Sequence, residues 1–292
     1  MANRKTAISL IVLFVAVAAA IACSAGIMSG SNPSTFIFTT ARGDVLEFQK
    51  EGVHAFNPRW FAGEGIGWDI ASMVVGIPAL LISWLSFMRG SVRGGIVLEG
   101  MLAYFAYQYL MYVTGWAYNN LFLLYVAVYS LSALALVLVV QEIGADNLAS
   151  HVSQRAPRRG LAGMMFFSGG LLLLMWLGKI VPALTHGEAP EMLNGAHTLI
   201  AQALDLGIIV PFALAAGVLL LRRSPWGYTL ASIGIVKLLM MAIAIVAMVV
   251  VRSVVEGAWS WGEIGMFAVI AMVSLGFLVS LLRSLKAPAE AH

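Results

Sequence analysis

The chain has one cysteine, Cys23, so no intrachain disulfide, thiolate metal cluster or CxxC redox motif can form. Charge is scarce too: 11% of its 292 residues are Asp, Glu, Lys or Arg, against about 25% in a soluble domain. There is no Walker loop, no GxGxxG after a strand, no GxSxG and no HExxH. The basic residues form no single patch, which argues against a nucleic-acid partner. No histidine falls in the middle of an apolar run, so haem would lack an axial ligand. His54, His186 and His197, with Glu188 and Glu191 between the last two, have no compact metal spacing and read as loop residues. Neither cofactor nor metal is expected.

Apolar sequence is abundant: 61% of residues are hydrophobic. Lipid must therefore be the main solvent of the side chains. Eight runs are long enough to cross a bilayer, near 7–29, 68–88, 95–117, 121–141, 161–183, 198–221, 228–251 and 262–284. The expected fold is an all-α polytopic membrane bundle. Its parts are a first helix (1–29), an outer segment (30–67), helices 2–4 (68–141), a cytoplasmic linker (142–160) and a second four-helix half (161–292).

Orientation follows from the positive-inside rule. With the N-terminus in the cytoplasm, one side holds Arg4, Lys5, Arg89, Arg93, Arg155, Arg158, Arg159, Arg222, Arg223, Arg283 and Lys286. The other holds only Arg42, Lys50, Arg59 and Arg252. Both termini are then cytoplasmic, in a plasma membrane of the bacterial inner-membrane kind. The run ending Ala20-Ile21-Ala22-Cys23 resembles a lipoprotein cleavage site, but its length favours a retained helix. In the outer segment, STFIFTT and VLEFQ flank ARGD and read as strand, turn and strand. Arg42-Gly43-Asp44 is then a tight turn and not an adhesion signal.

The two halves share a short likeness. PALLISWLSFMRGSVRGG from Pro78 and PFALAAGVLLLRRSPWGY from Pro211 stand 133 positions apart. At that offset Arg89 meets Arg222, Ser91 meets Ser224 and Gly94 meets Gly227. Asp69 and Asp205 lie upstream of the two prolines, displaced by three residues, about one helical turn. A duplication would give two parallel four-helix halves related by an axis along the membrane normal. Pro78 and Pro211 are expected to kink their helices.

The charges inside the spans carry the functional question. Asp205 is expected about 10 Å below the outer face, and Lys237 about 15 Å below it in the next helix. They neutralise one another or flank a wet cavity, because a lone charge at mid-span costs about 2.5–3.5 kcal/mol. Positions 197, 201 and 205 share a broad helical face, so His197 and Gln202 are expected beside Asp205. Tyr104, Tyr107 and Gln108 give the third span an inward polar face. Glu99, close in sequence to Arg89 and Arg93, reads as half of an interfacial ion pair. Ser168-Gly169-Gly170 reads as a close helix contact.

Three functions fit these residues. In a transporter or permease, Asp69, Asp205 and Lys237 would bind a small solute or relay protons. Tyr104, Tyr107, Gln108 and Gln202 would line the path. In a membrane-embedded enzyme on a lipid-like substrate, His197 and Asp205 would be the acid–base pair. A non-catalytic subunit or assembly factor would use the same helices to hold a protein partner. Transport is the leading expectation.

Overall fold

The computed structural model describes residues 2–30 and 34–286; His292 lies outside them. Among the described residues nine α-helices run in order, besides a single 3-10 turn at Glu191–Leu193: α1 Ala2–Ser29, α2 Arg59–Met88, α3 Val92–Gly115, α4 Phe122–Ile143, α5 Ala145–His151, α6 Arg158–His186, α7 Ile200–Leu221, α8 Pro225–Glu256 and α9 Trp261–Ser284. All but the short α5 are long and apolar enough to cross a membrane, which marks a multi-pass membrane protein. Strands β1 Thr35–Thr39 and β2 Val45–Gln49 pair antiparallel between α1 and α2. Their turn closes at Gly43, whose φ of 92° suits glycine, while Thr40 bonds the amide of Asp44.

α2 begins at Arg59, well before the 68 expected from sequence. The stretch GEGIG falls in the expected outer segment 30–67. Its glycines instead let the helix backbone approach a neighbour: a Cβ on Gly67 would come 2.5 Å from the Ala247 carbonyl of α8. α2 therefore packs closely against α8, and the segment outside the spans is shorter than 30–67. Gly169 plays the part read for it, with a Cβ there 3.1 Å from Ala213 on α7; a Cβ on Gly170 meets nothing.

α3 is the axis of the bundle. Two-thirds (67%) of its apolar window is buried, against 22% for the peripheral α9. It packs on α2, α4 and α8 and touches α7. Tyr104, Phe105 and Tyr109 are among the largest fully buried side chains. Segments 34–58, 116–121 and 187–199 meet at one end, where Asn57 accepts from the Ala117 amide and a Cβ on Gly195 would strike Leu46. At the other end Leu285 pairs with Val152, and Arg4 faces Glu142.

The expected proline kinks are π turns. In α2 the turn spans Ser72–Gly76, and the Ile77 amide reaches back five residues to the Ser72 carbonyl. In α7 it spans Asp205–Ile209, and the Val210 amide reaches Asp205. A proline lacks its own N–H and crowds the carbonyl four residues back; the wider turn moves that carbonyl away. Both turns sit at the same offset from their prolines. The loops that follow also match. Gly90 and Arg223 both have positive φ. Ser91 bonds Ser86 as Ser224 bonds Leu219, and Gly90 bonds Phe87 as Arg223 bonds Leu220. Each is a Schellman cap.

Candidate functional site

Three polar clusters lie along α3. In the first, the Tyr107 hydroxyl donates to Asp205 Oδ1 at 2.7 Å, and Trp176 Nε1 of α6 donates to Oδ2 at 3.0 Å. Each carboxylate oxygen thus has its own donor. Lys237 Nζ stands 3.9 Å from the Tyr107 ring centroid, and Lys179 Nζ is 5.8 Å from the Trp176 ring. Both lie within the range of cation–π attraction. The expected ion pair is replaced: among the described residues no salt bridge joins Lys237 to Asp205. Tyr107 stands between them, bonding the acid with its hydroxyl and the base with its face.

The second cluster sits at the π turn of α2. Ser72 Oγ is 2.7 Å from Gln108 Oε1 and 2.6 Å from the Tyr104 hydroxyl. An amide oxygen only accepts, so Ser72 gives its proton to Gln108 and takes one from Tyr104. The pattern repeats that at Asp205: the first residue of each π turn accepts from a tyrosine of α3.

The third cluster is sealed. Asp69 is 1% exposed and His54 is 1% exposed, with His54 Nε2 2.9 Å from Asp69 Oδ2. Tyr112 donates to Asp69 Oδ1 at 2.9 Å and also to the Gly65 carbonyl. Cys23, fully buried in α1, approaches the Tyr109 hydroxyl at 3.7 Å. Gly26 and Gly65 make the room: a Cβ on Gly26 would overlap the Asp69 carboxyl, and one on Gly65 would come 2.8 Å from His54. His54 is therefore no ordinary loop residue. The Asp69 partner was hidden from sequence reading because a loop folds back into the bundle to bring it there.

Two other expectations are corrected. His197 is exposed and precedes α7, which begins at Ile200, so the 197–201–205 helical face does not exist. Gln202, on the helix, bonds the Met192 sulfur instead of Asp205. Glu99 forms no ion pair with Arg89 or Arg93. It is fully buried, neither of its oxygens has a partner, and Arg93 donates to the Leu285 carbonyl. Trp176 was missed because an indole in an apolar run carries no charge pattern to mark it.

At the hairpin end, Arg252 of α8 bonds Glu64 of α2 at 2.6 Å and also Glu263 of α9. Glu47 accepts from Thr35 at 2.6 Å and from Arg59 at 2.8 Å. The Thr35 hydroxyl first, and then the Arg59 guanidinium, hold the Glu47 carboxyl below the usual glutamate range. Among the described residues, no group of three or more His, Cys, Asp or Glu is placed to hold a metal ion. Comparison with protein families, curated proteins and solved structures gives no match.

Proposed function

We propose that this chain is a transporter or permease of the plasma membrane, with both termini cytoplasmic and two four-helix halves arisen by duplication. Its solute or proton path runs beside α3, past Asp205, Lys237 and Gln202 of the second half and Asp69, Ser72, Tyr104, Tyr107 and Gln108 of the first. One observation carries the reading. Two π turns at equivalent positions each present a polar residue to a tyrosine of the central helix. Such turns are frequent at functional sites and hinges, and kinked helices at a repeat interface suit alternating access.

A non-catalytic membrane subunit is the second reading, favoured by the sealing of His54 and Asp69. The enzyme reading draws no support from the exposed His197.

Thiol accessibility separates the first two. Cys23 is changed to Ser, and single cysteines replace Ala201, Asp205 or Lys237 in protein reconstituted in lipid vesicles. A transporter exposes these positions to a small water-soluble thiol reagent, with sidedness that shifts between its two states. No labelling at any of them from either side refutes transport and leaves the subunit reading.

A further inference from the structure

Glu99 lies in the first half of α3, inside a run of buried apolar residues that includes Ile96, Leu98, Met101 and Leu102. Three helices close on α3 here through glycines. A Cβ on Gly95 would come 2.5 Å from Ile143 of α4, one on Gly94 would come 2.6 Å from Ser86 of α2, and one on Gly100 would overlap Val236 of α8. Such close approach keeps the carboxyl from water.

The acidic and basic side chains of the surrounding helices are either paired with other groups or exposed. On α2, Asp69 bonds His54 and Glu64 bonds Arg252, while Arg89 is exposed. On α4, Glu142 faces Arg4. Asp205 of α7 and Lys237 of α8 share Tyr107; Glu256 of α8 is exposed. No described residue bonds either oxygen of Glu99. An isolated ionised carboxylate is too costly in such a place, and the group neutralises instead. A leucine would fill the space without that cost, and ionisable residues kept inside a span mark ion or proton paths.

We propose that Glu99 is a proton-binding site within the membrane, holding an exchangeable proton as a neutral carboxylic acid at neutral pH. This deepens the transport reading and rests on it for its purpose: the proton is the coupling ion. When the helices around α3 part, the acid gives its proton to water and remains as a solvated carboxylate. It takes a proton back before they close.

Infrared spectroscopy of the full chain in phosphatidylcholine vesicles at pH 7 tests this. Wild type should show the C=O stretch of a protonated carboxyl, shifted in heavy water, and Glu99→Gln should lose it. If the variant fails to fold, wild type with ¹³C-labelled glutamate carboxyls replaces it; the band must then shift as a glutamate band and not remain as an aspartate one. A band unchanged by the substitution or the label overturns the proposal, as does loss of carboxylate bands alone. The two readings fail separately. A Glu99 band with no thiol labelling at 201, 205 or 237 keeps the proton site and removes transport. Two-sided labelling without the band keeps transport and removes the proton from Glu99.

Discussion

Lys237 and Asp205 are linked through Tyr107 and not to each other: the hydroxyl bonds the acid at 2.7 Å and the ring face takes the ammonium at 3.9 Å. The two contacts can be removed in turn. Tyr107→Phe keeps the ring and loses a hydrogen bond to a charged group, about 1.5–3 kcal/mol. Tyr107→Leu also loses the cation–π contact, about 0.5–2 kcal/mol more. Unfolding in detergent, followed by tryptophan fluorescence, should rank wild type above Phe above Leu. A double-mutant cycle of Tyr107→Phe with Asp205→Ala should show coupling of about 0.5–3 kcal/mol. Additive effects would mean that the hydroxyl contact contributes nothing.

Glycines fall into two classes that a single methyl group distinguishes. At Gly26 an added Cβ collides with the Asp69 carboxyl, and at Gly67 it meets the Ala247 backbone at 2.5 Å. Alanine at either site should destabilise by about 1–3 kcal/mol, as overpacking does. At Gly163 of α6 nothing lies within 4 Å, so alanine there should stabilise by up to about 1 kcal/mol through helix propensity. Melting temperatures of the three variants give the ordering. A Gly26→Ala protein as stable as wild type would contradict the buried His54–Asp69 contact.

Spans and hairpin were legible because they rest on local pattern: hydropathy over about twenty residues, and alternation about a glycine turn. Side-chain partners were not legible even where two charges announced each other. Lys237 and Asp205 attracted attention as opposite charges, but the group that joins them is an uncharged tyrosine. Glu99 was read against Arg89 and Arg93 because they are near in sequence, yet Arg89 is exposed at the end of α2 and Arg93 donates to the Leu285 carbonyl. His54 meets Asp69 only because Gly26 and Gly65 open the space, and a glycine in a sequence does not say what it makes room for. The early start of α2 was missed for the same reason.

The matched loops differ in one telling residue. Gly90 closes the first Schellman cap with φ 85°, where glycine is unstrained. Arg223 closes the second with φ 58°, a conformation that costs an L-residue about 1–2 kcal/mol. Arg223→Gly should therefore raise stability by roughly 1 kcal/mol, and Gly90→Arg should lower it by a similar amount. Thermal unfolding of both variants checks the pair. Equal and opposite shifts would support a common loop geometry; a loss in both would mean that Arg223 makes a compensating contact through its side chain.

Acid should loosen the hairpin through Glu47, which ties β2 to the start of α2. Its carboxyl is held below the ordinary value by the Thr35 hydroxyl and by Arg59. A group whose folded value is lowered contributes its stabilisation above the unfolded value, about 4.3 for glutamate. That contribution falls away as pH drops through the lower, folded value. The side chain is 37% exposed, so salt should shrink the effect. Hydrogen exchange at the β2 amides is the measurement. In wild type, protection corrected for intrinsic exchange should decline below about pH 4.3, and Glu47→Gln should start lower and lose that step. Superimposable curves for the two proteins would show that the Glu47 contacts do not hold the hairpin to the helix.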